Sequence, residues 1–278
     1  MHADLDRTVV VEGARIRYRV SGQGTQPLVL IHGAGAHHMW FYRMFTSLER
    51  DWRLITIDFS GHGTSDHRAE YSVQLWASEI AAVIAAEEEA PAVIVGHSMG
   101  ARIGVALAAV YPELVSRLVM LDGNVRSPAE YPKPGERPEP RAHRVFATRE
   151  EAIARFRLVP GQDAPAAHYL IPLAEYSVRE ADGGWSWRHD WNSPTTPYDE
   201  YINGCIGRLT VPVTFAYGTA SPIVNQTKAQ YFVSLAQVAV TIVPIQDGQH
   251  HLMLDKPDEC LAAITSASSL HPNDNLAS

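Results

Sequence analysis

Short runs of apolar residues alternate with helix-spaced ones along most of the chain. Thr8–Val11, Ile16–Val20, Pro27–Ile31, Leu54–Ile57, Ala92–Val95 and Leu118–Leu121 read as β-strands, since they are short, rich in β-branched residues and bounded by turn formers. Between them, Trp40–Leu48, Ser72–Glu88 and Ala101–Val110 repeat apolar residues at helical spacing. The strand order resumes at Val211–Ala216 and Val238–Val243. This alternation predicts an α/β fold: a doubly wound, mostly parallel eight-stranded sheet covered by helices, with an antiparallel pair of strands at its start.

The pattern breaks after Asn124. Ser127–Pro140 holds five prolines, which exclude a strand or an unbroken helix. Thr148–Leu158 then reads as an amphipathic helix, with Thr148 as its N-cap and Glu151 three residues on. Trp185, Trp187 and Trp191 follow within GGWSWRHDW. Residues 126–206 are therefore expected to form a helical cap inserted into a core made of 1–125 and 207–268, with 269–278 as a frayed tail.

With 278 residues, 46% of them hydrophobic, the chain can bury one substantial core. The net charge of -8 is dispersed and no Lys/Arg-rich run occurs, so neither nucleic acid nor a membrane surface is an expected partner. Cys205 and Cys260 stand beside apolar residues and read as buried thiols in a reducing compartment. MHADLDRTVVVEG lacks the basic start and apolar segment of a secretory leader, and no run is long enough to span a bilayer. A cytoplasmic protein with a small-molecule substrate is expected; monomer and homodimer both stay open.

The chemistry centres on Gly96-His97-Ser98-Met99-Gly100, which joins the Ala92–Val95 strand to the helix after it. A Gly-x-Ser-x-Gly turn in that setting is a nucleophile elbow, and it exposes the Ser98 hydroxyl above the sheet. The Met99 amide, at a helix start, and the Ala34 amide, in the turn Gly33-Ala34-Gly35, form a candidate oxyanion hole. Among 13 histidines, His250 follows the last strand and would lie on the elbow's side of the sheet, which makes it the candidate base. His251 is expected to start a helix or to serve packing, and His32 to be structural. Asp58–Ser65 reads as a turn close to the site.

A triad acid most often lies after the strand that follows the cap, but Gly218–Pro222 contains no carboxylate and has Ser221 in that slot. Asp122 ends the strand beside the elbow strand and is the candidate acid. Gly35, Arg102, Tyr169, Tyr176, Trp185 and Trp187 are candidate substrate contacts. Each aromatic candidate can line a pocket or fill the core. Arg102 can meet a substrate carboxylate or simply pair within its surroundings. No His-Glu-x-x-His or similar spacing suggests a metal, and no cofactor is expected.

Taken together, His32–Gly35, Asp58–Ser65, Gly96–Gly100, Asp122 and Gly248–Pro257 occur in the order and spacing of the α/β-hydrolase superfamily, which the chain resembles over nearly its whole length outside the cap. The strand-end acid is similar to that of the (acetamidomethylene)succinate hydrolases and zearalenone lactonases. The resemblance implies Ser98 as nucleophile, His250 as base and Asp122 as acid. Haloalkane dehalogenases and epoxide hydrolases share the layout but carry aspartate where this chain has Ser98.

A serine hydrolase is the reading: a carboxylesterase or lactonase, or an activated-amide hydrolase, working through an acyl-enzyme without metal or cofactor. Two other classes resemble this fold. One is a cofactor-independent dioxygenase of a heteroaromatic substrate that uses the His250/Asp122 dyad, the other a ligand receptor with slow turnover.

Overall fold

The computed structural model describes residues 4–88, 91–131, 144–163, 167–191 and 199–266. The tail expected at 269–278 and the prolines from position 132 to 140 lie outside these residues.

Two antiparallel strands open the chain, β1 (Arg7–Val11) and β2 (Ala14–Ser21), followed by β3 (Pro27–Ile31). A 3-10 turn (His38–Met44) runs into α1 (Phe45–Asp51), so the helix expected over Trp40–Leu48 is split between two geometries. Then come β4 (Arg53–Asp58), α2 (Val73–Ala86), β5 (Ala92–His97), α3 (Met99–Val110) and β6 (Val115–Leu121). The sheet closes with β9 (Val213–Gly218), α7 (Gln226–Leu235), β10 (Val240–Ile245), α8 (Leu252–Asp255) and α9 (Pro257–Ser266). Its order is β1-β2-β4-β3-β5-β6-β9-β10, eight strands, parallel from β4 onward.

Both faces of the sheet are covered, which explains why the central strands read as unbroken apolar runs. Successive side chains of a strand point to opposite faces. Accordingly Val29 and Ile31 enter one core with Trp76, Ile94 and Phe215, while Leu28 and Leu30 enter the other with Phe41, Val93 and Val95. The carboxyl ends of the parallel strands share one edge, where ligand sites form in open α/β sheets.

The intervening segment holds α4 (Arg149–Ala154), α5 (Ile171–Ser177), β7 (Val178–Ala181), β8 (Gly184–Trp187) and α6 (Asp199–Ile206). Besides its helices, the segment expected as a helical cap contains a two-stranded hairpin. Asp182-Gly183 forms its turn, with Gly183 at φ +84°, and Asp-Gly between two short strands is a recognised hairpin signal. The helix expected over Thr148–Leu158 also stops early, at Ala154, where the Phe156 amide turns back to the Ile153 carbonyl. Its start is as read: Thr148 Oγ1 accepts the Glu151 amide at 3.1 Å. Finally, α6 buries Ile202, Cys205 and Ile206 in the main core, so its packing belongs to the sheet side.

Candidate active site

Ser98 sits between β5 and α3 at φ +53°, ψ -115°, a strained backbone conformation for a residue with a side chain. Such conformations cost about 1–3 kcal/mol and persist only where their surroundings enforce them. Here the enforcement is visible. A Cβ on Gly96 would lie 2.5 Å from the Gly100 carbonyl oxygen, and one on Gly100 would lie 2.4 Å from those of Ile31 and His32, so strand, turn and helix close only on glycine. The Ser98 amide continues the ladder to the Leu121 carbonyl at 3.0 Å. Its neighbours His97 and Met99 are buried whereas Ser98 is partly open, as a reacting hydroxyl requires.

Met99 begins α3, so its amide has no acceptor within the helix and is available to an anion. The loop bearing Ala34 lies alongside: a Cβ on Gly33 would fall 3.2 Å from that of Ser98. Ala34 is partly open and Gly35 is exposed at φ +67°. His32 holds this loop. Its Nδ1 donates to the Gly33 carbonyl at 2.8 Å and its Nε2 accepts the Phe59 amide at 3.3 Å. Burial lowers His32 to about 4, so it stays neutral and keeps both bonds at neutral pH.

Asp122 is fully buried one residue beyond β6, at φ +51°, with its amide on the Ala216 carbonyl of β9 at 2.8 Å. Aspartate tolerates that left-handed conformation better than most residues. Its Oδ2 lies 2.7 Å from Nδ1 of buried His250. A carboxylate there fixes the proton on Nδ1 and leaves Nε2 as the basic nitrogen. The chain around His250 is also anchored, since His97 Nε2 donates to the His250 carbonyl at 2.9 Å.

His251 is engaged at both ring nitrogens. Trp40 Nε1 donates to its Nδ1 at 3.3 Å, and its Nε2 lies 3.3 Å from the Pro160 carbonyl. Burial lowers it to about 3. A neutral imidazole whose acceptor and donor are both occupied serves packing at the start of α8. The Gln162 side chain accepts the His251 amide at 2.8 Å and the Gln249 side chain accepts the Asp163 amide at 3.2 Å, so the intervening segment is bonded directly to the loop of His250.

Asp58, read from sequence only as part of a turn, is a buried junction. Its Oδ1 accepts the amide and Nδ1 of His38, and its Oδ2 accepts the Thr64 amide and, at 3.4 Å, the Tyr176 hydroxyl. Burial alone would raise this carboxyl, but His38 carries it well below the usual range. One charge thereby joins the β3 loop, the β4 loop and α5. The Asp-Phe-Ser-Gly-His-Gly-Thr-Ser string signalled a turn, and nothing local in it signals the partners at positions 38 and 176.

The candidate substrate contacts divide. Arg102 is buried and paired with Asp199 of α6 at 2.6 Å, with Arg126 on the other oxygen at 3.3 Å, so its charge is committed to that aspartate. Trp185 and Trp187 pack with Phe146 and Ala152 as a small core of the hairpin and α4. Tyr169 stacks under Arg43, whose guanidinium carbon lies 3.9 Å from the ring centre. Tyr176 packs against His37 and His38, ring centres 4.6 and 4.9 Å apart, and burial raises its phenol. Tyr176 thus reaches the segment after β3 at His37 and His38, and Tyr169 reaches it at Arg43 and at Tyr42, whose hydroxyl donates to the Tyr169 carbonyl at 2.9 Å.

A parallel sheet of this order, with a strained serine elbow at its carboxyl edge, defines the α/β-hydrolase fold. The chain belongs to the alpha/beta hydrolase family, whose family model matches residues 28–263. It is 28% identical over 180 residues to a serine hydrolase-like protein of Danio rerio, covering 60% of this chain and 55% of that one. It is 36% identical over 114 residues to a 2-(acetamidomethylene)succinate hydrolase of Mesorhizobium japonicum, covering 40% of this chain and 41% of that one. The chain thus spans about half the length of the curated relatives it matches. A thioesterase domain from the curacin biosynthetic pathway superposes with a TM-score of 0.79 over 95% of this chain and 100% of that one, at 23% identity, a likeness of fold. Among the described residues, no helix is long and apolar enough to cross a membrane.

Proposed function

We propose that the protein is a serine hydrolase that cleaves a small carboxylic ester, lactone or activated amide through an acyl-enzyme. The observations that carry this are a strained, partly open Ser98 at the strand edge and, at the same sheet edge, the buried His250–Asp122 contact at 2.7 Å. In the first step Ser98 Oγ bonds to the substrate carbonyl carbon while its proton passes to His250 Nε2. The Ala34 and Met99 amides stabilise the oxyanion, and Asp122 stabilises the imidazolium. Collapse of the intermediate breaks the bond to the leaving group, which takes the proton from His250. Water, deprotonated by the same imidazole, then releases the acid and restores Ser98. The residues 126–206 would shape the pocket as a cap, with Tyr176 the favoured aromatic contact. Two free, buried cysteines fit a cytoplasmic setting.

The test is a panel of esters, lactones and amides read by mass detection, run alongside labelling with a fluorophosphonate. Turnover together with labelling of Ser98 is expected. Oxygen uptake on a heteroaromatic substrate without labelling would replace this reading with the dioxygenase one.

A further inference from the structure

Asp122 receives more than the imidazole. Its Oδ2 also accepts the Ser221 hydroxyl at 2.6 Å, and its Oδ1 accepts the Gly218 amide at 3.1 Å. Ser221 Oγ in turn accepts the amides of Ile223 at 3.1 Å and Val224 at 3.2 Å. A serine hydroxyl has one proton and two lone pairs. With both lone pairs taken by backbone donors, its proton goes to the carboxylate, and the turn after β9 sets the direction of that bond.

Ser221 stands in the slot where the commoner triad keeps its acid. We propose that Ser221 is a positioning residue of the triad, holding Asp122 in place for His250 and drawing charge from the oxygen that both share. The proposal rests on the Ser98–His250–Asp122 reading. Hydrogen bonds donated to an anion strengthen as charge concentrates on it, and a buried site amplifies this. The His97 and His251 rings, centred 4.8 and 5.0 Å from that of His250, are lowered by burial and stay neutral, so Asp122 is the charge that faces it. Without the hydroxyl, Asp122 Oδ2 presents more negative charge to His250 and favours the imidazolium, which cannot accept the Ser98 proton. Activity on the acid side should then fail at higher pH than in the wild type.

The experiment compares wild type, Ser221→Ala, Ser221→Thr and Ser98→Ala for fluorophosphonate labelling rate, kcat, KM and the pH dependence of kcat/KM. Ser221→Ala is expected to lose roughly 5- to 50-fold in kcat with KM little changed, in line with loss of a hydrogen bond to a charged group. Its acid limb should move to higher pH, and Ser221→Thr, which keeps a hydroxyl, should recover most of both effects. An Ala variant with the wild-type acid limb overturns the proposal, whether its kcat is unchanged or reduced, because a purely structural role in the turn would not move that limb. Failure of Thr to recover the limb in a folded protein overturns it too. Labelling that survives in Ser98→Ala removes the triad reading itself, and the Ser221 proposal with it.

Discussion

Nδ1 of His250 lies 2.7 Å from Oδ2 of Asp122, a bond between the end of β6 and the loop after β10. β9 runs between those two strands in the sheet, and its following turn brings Gly218 and Ser221 onto the same carboxylate. Three neighbouring strand ends thus converge on one buried charge. Removing that charge should disturb the imidazole far more than the fold. Asp122→Asn is expected to lower kcat about 10²- to 10⁴-fold, since a nearly isosteric amide no longer holds the Nδ1 tautomer. Circular dichroism and a urea midpoint check the fold. A kcat near wild type would show that the acid lies elsewhere.

The 2.6 Å contact between Ser221 and Asp122 also makes a rescue testable. Ser221→Asp in the Asp122→Asn background places a carboxylate in the commoner acid slot, beside the side chain that the imidazole contacts. Partial recovery of kcat over the single Asn variant is expected. No recovery in a folded double variant would mean that the β9 turn cannot present a charge to His250.

Ser98→Ala should abolish fluorophosphonate labelling and reduce kcat by about 10³-fold or more, as loss of a triad member generally does. Substrate affinity should change little. Near-complete hydrolysis by the folded variant would remove the acyl-enzyme mechanism.

The two adjacent histidines should separate cleanly. His250→Ala is expected to cost at least about 10³-fold in kcat. His251→Ala should stay within about tenfold while losing on the order of 1–3 kcal/mol of stability, because it leaves Trp40 Nε1 and the packing at α8 unsatisfied. The opposite ranking would reassign the base.

Acid should destabilise the protein in a defined window. Burial lowers His32 from 6.5 to about 4 and His251 from 6.5 to about 3. Both remain neutral in the folded state while the unfolded chain takes up their protons below pH 6.5, so stability falls with falling pH. Each contributes on the order of 1 kcal/mol per pH unit until its folded group titrates. Urea midpoints are therefore expected to drop from pH 7 to pH 5, and His251→Gln should shallow the slope by about one proton. A flat stability profile across this window would contradict neutral burial.

The eight strands, the elbow and the two glycines beside it were legible in the sequence because each depends on local rules. Burial on both sheet faces demands apolar runs, and a serine forced to positive φ between close-packed backbones demands small neighbours. Asp122 became the candidate acid by elimination, since the β9 turn offered no carboxylate, and its 2.7 Å contact with His250 is what the structure adds. The hairpin of β7 and β8 had a local signal as well, its Asp-Gly turn, obscured by the tryptophans around it. Other features have no local signature. That Asp58 binds His38 and Tyr176, that Arg102 is committed to Asp199, and that Ser221 donates to Asp122 depend on pairs 20 to 118 residues apart in the chain. Propensity and periodicity act over one helical turn or one strand, whereas a buried polar group must find its partner wherever the fold brings one within hydrogen-bond reach. The chain's own pattern therefore determined the scaffold and its serine elbow, and tertiary packing decided which polar groups meet around them.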